Sequence, residues 1–232
     1  MAQSDWQDLN DSISAASLAR GVTSGVTPPN GGGSFIFAYN SLDASAGVHG
    51  QLVNIANYNP AAKGASIRGA LQRGISGGPL LFAPFLFAGL QGASVNDTAY
   101  QLGLGDLDPH HIVLRKGSLV TGLPDNAPGS NGVLRRSDAT YSPGTWVHLR
   151  LDVIVNLNGD VILRCFKNDV VVNGVDSPSW VAIPGMDDFV DDPTQINSGS
   201  APLLDGRMGF GCYKGASTRR AYVDHIEALR QL

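Results

Sequence analysis

The stretch GTWVHLRLDVIV, residues 144–155, decides how this chain folds. Val147, Leu149, Leu151, Val153 and Val155 are all apolar, and their neighbours Trp146, His148, Arg150 and Asp152 are mostly polar or amphipathic. Alternation of this kind puts every second side chain on one face, so the stretch is predicted to be a half-buried strand. Outward from it lie NLNGDVILRCFKND (156–169), SWVAIPGM (179–186), LLDGRMGFGCY (203–213) and RRAYVDHIEAL (219–229). Each has strand character and is bounded by Gly, Pro, Asn or Asp, which favour turns.

Composition agrees with many short strands. The 232 residues are 43% hydrophobic and only 16% charged, with 29 Gly and 13 Pro. A chain of this length buries roughly 70% of its unfolded surface, so it needs no disulfides to stand. Nineteen of the twenty acidic residues are Asp, which suits turns, and Glu227 is the single Glu. The net charge of -4 gives no basic stripe for nucleic acid. Cys165 and Cys212 share the alternation of apolar neighbours and read as two buried free thiols, with a disulfide between them an open alternative. MAQSDWQDLNDS (1–12) has no basic start and no apolar segment, so no signal peptide is expected. The apolar run PLLFAPFLFAGL (79–90) is too short to cross a membrane and holds two prolines.

Residues 1–33 read as an N-terminal arm and linker. Ser4 or Ser12 is placed to cap short helical turns carrying Trp6, Leu9, Ile13 and Leu18, and GVTSGVTPPNGGG (21–33) has no core-forming pattern. From Ser34 to Leu232 the chain reads as about thirteen strand segments, including 170–173, at the spacing of a two-sheet sandwich. The run 79–90 is either a strand buried on both faces or an exposed apolar surface for subunit contact.

The order of these segments resembles the end of a concanavalin-like, laminin-G-like jelly roll: a "tWvhlrLdv" strand, "GdV.l" in residues 159–163, "W..ipG" in 180–185, "G.mGfG" in 206–211 and "ayvDhi" in 221–226. The resemblance covers roughly residues 34–230 and implies an all-β sandwich of two antiparallel sheets. A chain of this kind with an arm also resembles virion structural proteins of tailed bacteriophages. That implies a tail, baseplate or capsid-decoration subunit, assembled in the host cytoplasm through the arm and an apolar surface. The implied partners are other virion proteins and further copies of itself, with no nucleic acid and no membrane insertion. A carbohydrate-binding, lectin-like module, turned toward a host-surface glycan, is the alternative.

Catalytic readings find little support. Gly74-Ile75-Ser76-Gly77-Gly78 fits the G-x-S-x-G elbow, but that elbow needs a strand–turn–helix in a parallel sheet. The trypsin-like version needs an Asp where Ile75 stands, and His49 is the only His before Ser76. Glycoside hydrolysis needs two paired carboxyl groups. The resembled glycosidases carry two Glu on one strand, and this chain has one Glu in all. Two acidic clusters, GDLDPHH (105–111) and MDDFVDD (186–192), hold oxygen ligands of the kind calcium takes, but each also reads as turn-capping Asp. The basic pairs Arg115-Lys116, Arg135-Arg136 and Arg219-Arg220 read as solvated strand ends or salt-bridge partners. Trp180 and Tyr213 are the candidates for stacking on sugar rings, whereas Trp146 reads as structural. The expectation is a protein that is not an enzyme, with no catalytic residue, no cofactor and no metal ligand.

Overall fold

A computed structural model describes residues 6–8, 18–21, 36–40, 47–53, 64–73, 82–92, 94, 96–105, 110–121, 123, 127–168, 179–192, 200–214 and 220–230. They form strands β1 (Trp6–Asp8), β2 (Leu18–Gly21), β3 (Ile36–Asn40), β4 (Gly47–Val53), β5 (Ala65–Arg73), β6 (Phe82–Leu90), β7 (Thr98–Leu104) and β8 (His110–Ser118). A 3-10 turn over Leu119–Thr121 follows, then β9 (Val133–Tyr141), β10 (Val147–Val155), β11 (Val161–Asn168), β12 (Val181–Ala182), β13 (Phe189–Asp191), β14 (Arg207–Lys214) and β15 (Arg220–Arg230). No α-helix occurs among the described residues.

The strands make two antiparallel sheets. The first runs β1-β4-β14-β6-β7-β8-β9, and the second runs β12-β11-β10-β5-β15-β3-β2 with β13 also on β11. Long-range pairing sets this order: β14 lies between β4 and β6, and β15 lies between β5 and β3. Chain-adjacent hairpins join β6 to β7, β7 to β8, β8 to β9 and β10 to β11. The β10–β11 turn shows how the sequence closes one of them. Asn156 accepts the backbone N–H groups of Asn158 and Asp160 on its side-chain oxygen, both at 2.9 Å. Gly159 takes φ of 87°, a conformation that a side chain resists.

The alternation of residues 144–155 is realised as expected. Val147, Leu149, Leu151, Val153 and Val155 point between the sheets with Val161, Leu163 and Cys165 of β11 and Ile67 and Leu71 of β5. Leu86, Leu102, Ile112, Leu114, Phe210 and Cys212 meet them from the first sheet. Each such aliphatic or aromatic side chain removed from water contributes about 1.5–3 kcal/mol. Both cysteines are free and buried.

Three expectations are corrected. The segment read as carrying helical turns supplies strands instead: Trp6–Asp8 pairs with β4 and Leu18–Gly21 with β3, each at the end of a sheet. Of the two readings of the run 79–90, the strand buried on both faces holds where the run is described, and the apolar surface for subunit contact does not. Phe85, Leu86, Phe87 and Ala88 are all at 0% exposure. Leu86 and Ala88 face the inter-sheet core, whereas Phe85 and Phe87 face the other way, under Leu119 and Leu123. Finally, β13 was not anticipated as a strand, while segment 170–173 lies outside the described residues.

Candidate functional site

The outer face of the second sheet gathers the side chains that the alternation left between the core residues. Strand register arranges them in rows across the sheet. Trp146, Gln72 and Tyr222 form one row, and Asn168, His148, Ala70 and Asp224 the next. Phe166, Arg150, Arg68 and Glu227 form the third, and Arg164, Asp152, Ser66 and Leu229 the fourth. Trp180 immediately precedes β12, whose Val181 pairs with Lys167, so its ring comes down beside the second row.

Aromatic groups cluster at one end. The Trp146 and Tyr222 rings lie 6.5 Å apart. Trp180 meets His148 edge-on at 4.8 Å. The Arg150 guanidinium lies 4.1 Å from the centre of Phe166 and 5.4 Å from that of Trp180, within the range of cation–π attraction. Trp146, Trp180, Phe166 and Arg150 are all half-buried. On the same face His148, Asp152 and Asp224 are buried.

Arg150 and Arg68 stand directly opposite each other on β10 and β5, a placement in which like charges repel. Each is offset by its own carboxylate. Arg150 donates to Asp152 at 2.9 Å, and Arg68 donates to Glu227 through both Nη2 at 2.6 Å and Nε at 3.2 Å. Arg164 donates likewise to Asp188 at 2.5 Å. Among the described residues the other oxygen of Asp152, Oδ1, has no hydrogen-bond partner, nor has Arg150 Nε.

Two further titratable clusters among the described residues are buried between the sheets. Lys116 Nζ donates to Asp191 Oδ2 at 2.6 Å and to the Ser200 carbonyl at 2.7 Å, and both charged side chains are fully buried. Tyr100 donates its hydroxyl to the same Asp191 oxygen and accepts the N–H of Leu203. Elsewhere between the sheets, Arg73 donates to the Gly105 carbonyl and to His110 Nδ1, both at 2.6 Å. Guanidinium has no acceptor, so Nδ1 takes that role and the imidazole is neutral there. Burial pushes the Cys212 thiol up, with Arg73 pulling it down by less. Burial, then the charges of Asp152 and Asp187, push Cys165 up as well. Arg115 is pushed down to about 10 by burial; its partners are the neutral carbonyls of Asn131 and Ser118.

This geometry distributes the sequence candidates unevenly. Trp180 joins the outer face, and so does Trp146, which the sequence reading took as structural. Tyr213 lies on β14, but its side chain is outside the described residues, as are Ser76, Arg219, Asp106 and Asp108. His110 and His111 do not converge: His110 meets Arg73, whereas His111 Nδ1 lies 2.6 Å from the Ser137 carbonyl. In MDDFVDD, Asp188 holds Arg164 and Asp191 holds Lys116. No group of three or more His, Cys, Asp or Glu capable of holding a metal forms among the described residues. The basic pairs part ways too, since Lys116 is buried while Arg135 and Arg136 are exposed, Arg135 lying 4.5 Å over the Phe189 ring. His148, Arg150, Asp152, Arg68 and Glu227 were not singled out as site residues. Their alternation with the core was visible, but not the register that brings Arg68 to Glu227 across 159 positions.

No known family model matches the sequence, and no curated protein sequence matches it. Solved structures do match in shape. A marine PL-14 alginate lyase from Aplysia kurodai superposes with a TM-score of 0.57 over 96% of this chain and 90% of its own, at 13% identity. The Emp46p carbohydrate recognition domain, in its potassium-bound form, gives 0.51 over 99% and 90% at 14% identity. The carbohydrate-binding module CBM66 from Bacillus subtilis gives 0.50 over 97% and 94% at 9% identity. The fold is a concanavalin-like jelly roll. Among the described residues, the outer face of the second sheet brings several aromatic rings and hydrogen-bonding groups together within reach of solvent.

Proposed function

We propose that the protein is a non-enzymatic carbohydrate-binding module that holds its ligand on the outer face of the second sheet. One observation carries this reading: Trp146, Trp180 and Phe166 lie half-open beside a row of guanidinium and carboxylate groups. Sugar rings offer C–H faces to aromatic rings and hydroxyls to planar polar side chains, and this platform presents both kinds of partner. Shared shape with a carbohydrate recognition domain and a carbohydrate-binding module supports it at the level of fold. That no catalysis occurs is part of the proposal. Glu227, the one Glu, is committed to Arg68, and Lys116, Asp191 and Tyr100 have no solvent exposure.

Affinity electrophoresis through gels containing polysaccharides tests the reading. Trp180→Ala and Trp146→Ala are each expected to weaken retention at least about tenfold, equivalent to about 1.4 kcal/mol, the scale of a buried aromatic anchor. Unchanged mobility of the wild-type protein in every gel, or full retention by both variants, would sink it. Attachment to a phage particle, with this face turned to the host, rests on the sequence resemblance. It loses the support of an exposed apolar run at 84–90. Mass spectrometry of purified particles from the source lysate tests that placement independently.

A further inference from the structure

Resting on the binding reading above, we infer that the ligand is an uncharged glycan, because each described guanidinium of the binding face, on Arg68, Arg150 and Arg164, already holds a carboxylate. An acidic polysaccharide is the usual partner of exposed arginines, since carboxylate and guanidinium form paired, charge-assisted hydrogen bonds. On this face each of the three described arginines already carries one carboxylate: Glu227 on Arg68 through two N–H groups, and Asp152 on Arg150 and Asp188 on Arg164 through one each.

The three pairs are not equally easy to open. Arg164 and Asp188 are largely exposed, with side chains at 42% and 63%, and an incoming anion could displace Asp188 into water. Asp152 is different, because its side chain is 6% exposed. An anion that captured Arg150 would leave the Asp152 carboxylate buried beside it without its counter-charge, which is strongly unfavourable. A hydroxyl makes no such demand. It bonds to the guanidinium edge or the carboxylate while the ion pair stays closed, and the aromatic rings take its C–H face. The net charge of -4 on the whole chain also disfavours approach of a polyanion.

The test uses the full chain and two sets of polymers at matched length: dextran, xylan and mannan as neutral probes, alginate and polygalacturonate as acidic ones. A neutral polymer is expected to be retained most strongly. Its affinity should change less than about twofold between about 0.05 and 0.5 M salt, since screening acts on charge attraction. Glu227→Gln takes the carboxylate charge from beside Arg68 and Asp188→Asn takes it from beside Arg164, both at partly exposed positions, so each should raise the ratio of acidic to neutral retention by roughly two- to fivefold. If wild type holds an acidic polymer as tightly as any neutral one, or if both variants leave the ratio flat, this inference is overturned while glycan binding stands. If no polymer of either set is retained, both fall together.

Discussion

Lys116 keeps its ammonium in a place with no solvent exposure, and its partners explain how. Asp191 supplies the counter-charge, Ser200 a carbonyl, and Tyr100 a hydroxyl that ties Asp191 to the backbone of Leu203. The pair links β8 of one sheet to β13 of the other, so it fixes how the second sheet's edge lies over the first. The sequence held a signal for this: Lys116 shares the parity of Ile112 and Leu114 in β8 and was bound to face inward. Its charge, beside that of Arg115, argues for a solvated strand end or a salt-bridge partner, and the packing of a distant Asp against it decides for the second. Removing one partner leaves the other charged and buried. Lys116→Met is expected to cost about 3–5 kcal/mol, whereas Lys116→Met combined with Asp191→Leu should recover a large part of that loss. Tyr100→Phe should cost about 1–3 kcal/mol by removing the buried hydroxyl that bonds both Asp191 and the Leu203 N–H. Urea unfolding of the four proteins measures all three differences.

Strands β6, β7 and β8 are buried on both faces, an unusual condition for an antiparallel sheet, which generally leaves one face to water. Here the segment after β8 folds back, so that Leu119 and Leu123 cover Phe85, Phe87 and Val113. The close approach depends on Gly103. A Cβ there would run into the carbonyl oxygen of Pro84 and lie 2.7 Å from both Leu123 Cδ1 and Phe85 Cα. Two of those three atoms are backbone and cannot swing away. Gly103→Ala is therefore expected to cost about 1–3 kcal/mol through overpacking. Adding Leu123→Ala should not rescue it, because the Pro84 carbonyl stays in place. Thermal melts of the single and double variants check this, and recovery in the double variant would show Leu123 alone to be the obstacle. Alternation in PLLFAPFLFAGL leaves both a two-faced strand and an exposed apolar surface open, since both give the same run of residues. What separates them is the fold-back of Leu119–Leu123, a tertiary event with no local periodicity. The early strands were missed for a related reason: Trp6–Asp8 and Leu18–Gly21 are three and four residues long, too short for alternation to register, and pairing with β4 and β3 defines them.

At the scale of the whole molecule, the interior between the sheets holds ionisable groups whose protonation differs between the folded and unfolded chain, so stability must depend on pH. Cys165 and Cys212 are pushed up by burial from the ordinary thiol range. In the unfolded chain both lose their protons above about pH 8.5, whereas the folded chain keeps them. The folded state then binds more protons than the unfolded one, and stability falls as pH rises, by up to about 1.4 kcal/mol per pH unit for each thiol. Below that range the two states hold the same thiol protons and the contribution is fully present. Arg115 acts with the opposite sign and later. Its folded value is pushed down to about 10, so only above that pH does the unfolded chain bind the extra proton and stability gain from it. The interval from about pH 8.5 to 10 is therefore governed by the thiols. Denaturant midpoints taken across it should fall for the wild-type protein and fall less steeply for Cys165→Ala/Cys212→Ala, with the two curves parallel below pH 8. Parallel curves throughout would mean that the thiols ionise as readily in the folded sandwich as in the open chain. That outcome would contradict a closed core at β11 and β14, the strands on which the sequence first placed them facing inward.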